Sequence, residues 1–239
     1  MNQGVYPLAA SMINQINRLD QISNNLANVN TLGFKQEGTT ETTFNYYLHK
    51  MESQQKLMLK ESVVTNNIPK IDSRYTNAEM GPIVMTGNSL DFALNEPDTF
   101  FKIQNENGDI VYTRDGAFKN LDGFLVDSNG NNVLNADNEA IVIEDDFESQ
   151  IGVAKTPYTN LEKMGDNTYL VKNVDEAEQI ENNDGRIVRG AVEQSNVNSV
   201  TAMVELIDAH RRFDQSQRAI KTIDDLNAGL IEKIGGNTR

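Results

Sequence analysis

From the start of the chain, apolar residues recur at steps of three and four: Val5, Leu8, Met12, Ile16, Leu19, Ile22, Leu26 and Val29. This spacing predicts an amphipathic helix over residues 4–30. Its opposite face holds Asn14, Asn17, Gln21, Asn24, Asn25 and Asn28, polar but nearly uncharged. A free surface helix more often carries Glu and Lys at i,i+4, and Asn is a weak helix former. Such a face suits a helix whose partners supply hydrogen bonds. Pro7 falls in or near the first turn, where it is tolerated, and Gly33 is a plausible stop. The helical period returns over Ser195–Ile234. There Val200, Met203, Ile207, Phe213, Ile220, Ile223 and Leu230 lie largely on one stripe, with Leu206, Leu226 and Ile234 beside it and His210 and Gln217 interrupting. Ser195, Asn196 or Asn198 can cap its start, and Gly235-Gly236 ends it. At about 1.5 Å per residue this helix is roughly 50–55 Å long, more than a small domain needs.

Between the helices the pattern changes. The turn dipeptides Asn107-Gly108, Asp115-Gly116, Asp122-Gly123, Asn129-Gly130 and Asp184-Gly185 separate short β-prone runs. These runs include Phe100–Ile103, Ile110–Thr113 and Phe124–Val126, then Ile141–Ile143, Ile151–Ala154 and Thr168–Val171. Asn-Gly and Asp-Gly between such runs predict tight hairpins. Residues 36–80 are less regular. Thr39–Thr43 leans to strand, Phe44–Lys60 has a weak helical period around Tyr47, Met51, Gln54 and Met58, and Pro69 breaks the remainder. A stretch this long without regular structure predicts a connector that reaches across to something.

The expected fold is therefore α+β. Residues 1–35 and 191–239 form a core of long terminal helices packed like a coiled coil, 36–80 form an extended connector, and 81–190 form an outer, hairpin-rich all-β domain.

Charge sharpens this division. The chain of 239 residues carries a net charge of −14. Residues 36–195 hold 13 basic against 28 acidic residues, while the two ends are close to neutral. Neutral ends can pack against copies of themselves, and an acidic middle stays hydrated and repels other copies. The same balance excludes nucleic acid, which needs a cationic face. No apolar run is long enough to span a membrane, so membrane insertion is not expected. No Lys or Arg precedes Arg18, and the first apolar residues are spaced rather than continuous. Export, if it occurs, is expected to bypass a cleavable signal peptide.

Catalytic chemistry finds little support. The absence of Cys removes thiolate nucleophiles, disulfides and Cys metal sites. His49 and His210 are the only histidines, and no nucleophile-elbow sequence accompanies a serine. Asp127-Ser128-Asn129-Gly130-Asn131 is oxygen-rich, but Asn132 and Asn138 stand where a calcium loop needs Gly and Glu, so a hairpin turn fits better. Arg211, Arg212, Arg218 and Lys221 interleave with Asp208, Asp214, Asp224 and Asp225, which reads as a salt-bridged helical face. Catalytic residues, metal ligands and cofactors are therefore expected to be none.

Three ordered blocks carry a resemblance. The run Ser23-Asn24-Asn25-Leu26-Ala27-Asn28-Val29-Asn30-Thr31-Leu32-Gly33-Phe34-Lys35 resembles the N-terminal signature of the flagellar axial proteins, the basal-body rod and hook family. Thr86–Leu94, Phe100-Phe101 and Tyr112–Phe118 resemble its central β signature, and Gly190–Asn198 resembles the motif that introduces its C-terminal helix. Glu96-Pro97-Asp98-Thr99 departs from the glycine-bearing turn usual before the paired Phe. Met203–Asp208, Arg212-Phe213 and Gln217 are similar to the proximal-rod branch, with the distal-rod branch next.

The resemblance implies a non-enzymatic structural subunit that polymerises helically into the periplasm-crossing rod. It implies export by the flagellar type III apparatus and partners among its own copies and other rod and hook proteins. On this reading the assembly interface comprises Leu8, Met12, Ile16, Leu19, Asn24, Asn25, Leu26, Asn28 and Val29, with Met203, Ile207, Phe213, Ile220, Ile223 and Leu230. Gly33, Gly87, Gly116 and Gly130 are the expected structural turns. The alternative is a secreted enzyme or carbohydrate-binding β domain flanked by helices, which a deep pocket with convergent acids would favour.

Overall fold

The computed structural model describes residues 5–43, 69–144, 146–165, 167–173, 177–180 and 185–235. The helix expected over Phe44–Lys60 lies outside them. Two compact units emerge, one formed by residues 1–26, 37–75 and 199–239, the other by 27–36 and 76–198. The helical unit has 12 acidic and 12 basic residues, whereas the β unit has 23 acidic and nine basic, so the net charge of −14 resides wholly in the β unit.

In the helical unit, α1 runs Val5–Ala27 and α2 runs Ser199–Gly235, within a few residues of the predicted spans. Strand β1 (Glu37–Thr43) pairs with β2 (Pro69–Thr76). The helices do not wind into the expected coiled-coil-like core, although the α+β class holds. On α2 the stripe residues Val200, Met203, Ile207 and Leu230, with Leu226 beside them, remain exposed, and among the described side chains of this helix the buried ones are the small Ala202 and Ala209. On α1 two residues of the Asn/Gln face, Gln21 and Asn25, bond to the backbone of β1. Asn25 donates to the Glu37 carbonyl at 2.8 Å and accepts from the Glu37 N–H at 3.0 Å, and Gln21 donates to the same carbonyl. Heptad-like spacing records which face is apolar; it does not say what covers that face.

The β unit contains β3 (Ile83–Met85), β4 (Phe92–Leu94), β5 (Thr99–Gln104), β6 (Ile110–Thr113), β7 (Lys119–Leu121), β8 (Phe124–Val126) and β9 (Asn132–Val133). It continues with β10 (Val153–Lys155), β11 (Leu161–Gly165), β12 (Thr168–Val171), β13 (Glu178–Ile180), β14 (Ile187–Arg189) and β15 (Ala191–Glu193). The main sheet has the order β11-β12-β6-β5-β9-β8-β7, and β10 joins it by pairing with β5 and β13. Two small ladders, β14 with β4 and β15 with β3, bring residues 187–193 back beside 83–94.

Strand periodicity buries both faces of the sheet. On one face Phe101, Ile103 and Val111 pack with Phe92, Phe118, Leu125, Ile141 and Phe147. On the other, Phe100 and Tyr112 pack with Ala154, Leu161 and Tyr169. The rings of Phe101 and Phe118 meet edge to face at 5.2 Å, as do those of Phe100 and Tyr158 at 5.1 Å. Burial pushes the Tyr158 and Tyr112 hydroxyls well above and above the ordinary tyrosine range, respectively.

One expected hairpin is absent. Asp115-Gly116 is not a tight turn between strands, and Gly116 does not take a positive φ. It is needed for a close approach instead, because a Cβ there would lie 1.7 Å from the Phe92 carbonyl oxygen. The Gly116 carbonyl also accepts from the Phe92 N–H at 2.9 Å.

Candidate functional site

The β unit is closed by a buried cluster of charge assembled from three distant segments. After α1, the chain turns through hydrogen bonds from Thr31 N–H to the Asn28 carbonyl (3.2 Å) and from Phe34 N–H to the Thr31 carbonyl (3.3 Å). Gly33 sits at φ 65°, and a Cβ there would lie 2.5 Å from the Arg114 carbonyl carbon. Only glycine meets both the dihedral and the space. Its N–H donates to the Glu193 carbonyl at 2.8 Å. Phe34 is buried, with the Lys163 ammonium 4.5 Å over its ring. Asn167 donates to the Leu32 carbonyl at 2.7 Å.

Lys35 follows, and its Nζ donates to Glu193 Oε1 at 2.6 Å and to the Glu79 carbonyl at 2.7 Å. Arg114 reaches the other carboxylate oxygen, Nε to Oε2, at 2.6 Å. Its remaining donors go to the carbonyls of Thr99 (2.7 Å), Glu96 (3.1 Å) and Leu94 (3.4 Å). The Gly81 N–H adds a third donor to the Glu193 carboxylate, at 2.8 Å to Oε1. The side chains of Lys35, Arg114 and Glu193 are each 1% exposed. Burial pushes the Lys35 ammonium below the ordinary lysine range; Glu193 opposes that shift and the Arg114 charge adds to it. One carboxylate thus neutralises one of two buried cations, and backbone carbonyls take the surplus donors. With both oxygens of Glu193 occupied, the group is placed to clamp chain segments rather than to act as a base or nucleophile.

Two further links run parallel. Asn196 Oδ1 accepts from the Gln36 N–H at 2.7 Å, while its Nδ2 donates to the carbonyls of Glu79 (2.9 Å) and Asn77 (3.1 Å). Asp91 accepts from Thr86 Oγ1 (2.6 Å) and Asn88 Nδ2 (2.9 Å), and its carbonyl accepts from the Gly190 N–H at 2.7 Å.

The expected interface residues are not gathered into one cluster. On α1, Asn25 is buried, Leu8, Met12, Leu19 and Leu26 are half-buried, and Ile16 and Asn24 are exposed. In the following turn Asn28 and Val29 are half-buried. On α2, Met203, Ile207 and Leu230 are exposed, and Phe213, Ile220 and Ile223 are half-buried. Gly87 and Gly130 have positive φ, 75° and 92°. The Asp127 carboxylate accepts from the N–H groups of Asn129 and Asn131, both at 2.8 Å, and so organises the turn at Gly130. Among the described residues, no three or more His, Asp or Glu side chains are grouped to hold a metal ion, and no helix is long and apolar enough to cross a membrane.

Sequence reasoning missed Lys35, Arg114, Glu193, Gly81 and Asn196 as site residues. A signal was present: Lys35 is the only charge in the first block, Glu193 the only one in the third, and Arg114 the only basic residue in the second.

The three segments that meet here coincide with three family matches in the same order. The model for "Flagella basal body rod protein" matches residues 9–35, that for "Flagellar hook protein FlgE/F/G D1 domain" matches 96–156, and that for "Flagellar basal body rod FlgEFG protein C-terminal" matches 188–232. The chain belongs to the flagellar basal-body rod family. It is 29% identical over 257 residues to the flagellar basal-body rod protein FlgF of Caulobacter vibrioides, covering 98% of this chain and 99% of the relative. It is 27% identical over 255 residues to FlgG of Agrobacterium fabrum, covering 94% and 96%. With FlgF of Rhizobium meliloti the identity is 27% over 255 residues, covering 99% and 100%. Within this rod-family chain, Lys35 comes from the first matched segment, Arg114 from the second and Glu193 from the third, so the buried cluster joins all three.

Proposed function

We propose that this chain is a non-enzymatic structural subunit of the flagellar basal-body rod and occupies its proximal part. The observation that carries the reading is the convergence of the three family segments on the Glu193 carboxylate. The conspicuous residues of the fold are used to clamp the chain to itself, not to present reactive groups. An open cleft of about 390 Å³ is lined by Asp146, Glu148 and Arg189, but Glu148 is ion-paired with Arg189. This is not a set of free convergent acids, and it gives the alternative of an enzyme or carbohydrate-binding domain no support.

Assembly is assigned to the helical unit. Its balanced charge lets copies approach, while Ile13, Ile16, Val200, Met203, Val204, Ile207, Leu226 and Leu230 leave apolar surface uncovered. Contacts that do not close generate an open filament. The acidic β unit then faces outward, and export proceeds through the flagellar type III apparatus, with other rod and hook proteins as axial neighbours. The proximal position rests on the resemblance of Met203–Asp208, Arg212-Phe213 and Gln217 to that branch. Identities of 29% to a FlgF and 27% to a FlgG are too close to decide it, so the distal position is the second reading.

Electron cryotomography of cells lacking this chain tests both. Basal bodies ending in a short rod stub are expected for a proximal subunit and a longer stub for a distal one. Complete rods in its absence would overturn the structural role.

A further inference from the structure

The hairpin of β7 and β8 turns through Asp122 and Gly123, both at positive φ (52° and 91°), which fixes Leu121 directly opposite Phe124. Phe124 is in turn bridged to Val142 on the next segment. Hydrogen bonds from Leu125 N–H to the Ile141 carbonyl (3.0 Å) and from Ile143 N–H to the Gly123 carbonyl (2.8 Å) hold that register. Residues directly opposed on antiparallel neighbours share a face. Leu121, Phe124 and Val142 therefore form one row across three adjacent segments. They are 53%, 41% and 43% exposed. Their chain neighbours Leu125 and Ile141 point the other way and are buried in the core. Single exposed apolar residues are ordinary on protein surfaces. A row of three held in register, with an aromatic at its centre, is the arrangement of an interaction anchor.

The charges around the row limit what can cover it. Asp122 occupies the turn, the exposed Glu144 lies two residues beyond Val142 in the chain, and Lys119 lies two before Leu121. The unit as a whole holds 23 acidic and nine basic residues. A second copy's β unit would bring the same acidic excess to the contact. A second copy's helical unit, with 12 residues of each sign, offers no cationic excess to balance it. Nucleic acid and anionic lipid are repelled for the same reason.

We propose that the row Leu121–Phe124–Val142 is a docking patch for a different protein, one presenting an apolar surface rimmed by Lys and Arg. Phe124 is the anchor, and complementary charge provides orientation and association rate. Three side chains make a small patch, so the contact belongs to the weak, transient class rather than to permanent assembly. The inference goes beyond the rod-subunit reading and does not depend on the chain's position in the rod.

The test uses the full chain and defined probes: a fluorescent 12-residue peptide alternating Leu and Lys, with alternating Ser/Lys and Leu/Glu peptides as controls. The Leu/Lys peptide is expected to bind at least tenfold more tightly than either control, and more weakly as salt rises. Phe124→Ser and Val142→Ser, each checked for an unchanged circular dichroism spectrum, should each lose most of that binding. Equal binding by wild type and both variants, or by the Ser/Lys peptide, would mean general attraction to an acidic surface and would overturn the proposal. So would failure of the Leu/Lys peptide to bind wild type. Sedimentation equilibrium supplies the remaining arm: if Phe124→Ser weakens self-association, the occupant is a second copy and the proposal is wrong.

Discussion

Glu193 holds Lys35 at 2.6 Å across 158 residues of chain, with both side chains 1% exposed. The contact ties the segment leaving α1 to the strand that precedes α2, inside the acidic β unit.

Removing the shared partner should cost more than removing either cation. Glu193→Gln leaves Lys35 and Arg114 buried without a counter-charge, and breaking a buried pair in this way costs about 3–5 kcal/mol. Lys35→Met leaves Glu193 still bonded to Arg114 and the Gly81 N–H, so the loss is expected at about 1–3 kcal/mol. Urea unfolding of the two variants, followed by circular dichroism in the β-sheet region, checks the order. A Lys35→Met loss equal to that of Glu193→Gln would show that the cluster is not centred on the carboxylate.

Gly116 carries a steric prediction. With a Cβ 1.7 Å from the Phe92 carbonyl oxygen, Gly116→Ala must push the two backbones apart, and Gly116→Val more so. Overpacking of this kind costs about 1–3 kcal/mol, and because the neighbour is backbone it has no rotamer to escape into. Gly108, around which a Cβ meets nothing within 4 Å, is the control, although its φ of 88° still imposes strain. Thermal unfolding of Gly116→Ala should fall below that of Gly108→Ala.

The regular parts of this fold were legible because their signals are local. Ile110–Thr113, Phe124–Val126 and Thr168–Val171 are strands over the predicted residues, and Asp122-Gly123 is the two-residue turn its sequence implies. Asp115-Gly116 misled because a glycine required for close backbone approach looks the same in sequence as one required for positive φ. The coiled-coil-like core misled because periodicity identifies an apolar face without its partner, and α1 directs Asn25 to the backbone of Glu37. The buried cluster was hardest to see. Lys, Arg and Glu are almost never fully buried unless paired, and Arg114 and Glu193 are 79 residues apart. What sequence offered was one charge of the cluster in each signature block, a pattern of composition rather than of spacing.

Asp115 should give the β unit a pH response. Burial raises its carboxyl above the ordinary value of 3.8, with Asp127 and Asp91 adding to the shift, while the Ala117 N–H and Lys119 oppose it. The folded chain therefore holds this proton more tightly than the unfolded chain. The stabilisation is complete below 3.8 and is lost as pH rises through the raised folded value. Asp115→Asn keeps an oxygen for the Ala117 N–H and removes the charge. It should be more stable than wild type at pH 7, with the advantage shrinking as pH falls toward 3.8. Paired melting curves at a series of pH values test this. An advantage that grew on acidification would reverse the sign.

Ile207 separates folding from assembly. It is 52% exposed, in a stripe with Val200, Met203 and Val204 that is also exposed. Ile207→Asp removes no buried group from the subunit, so its unfolding curve should match wild type. In a filament whose copies meet through this stripe, the new carboxylate would be buried without a partner, and such a charge is not tolerated at a packed contact. The variant should accumulate as a folded, exportable subunit that builds no rod and supports no swimming. Asp214, exposed on the same helix, supplies the control, since Asp214→Asn changes charge without touching the stripe and should swim normally. Motility halos and electron micrographs of isolated basal bodies read both outcomes. Normal rods built from Ile207→Asp would remove this stripe from the subunit contact and leave assembly to the half-buried faces of α1 and α2.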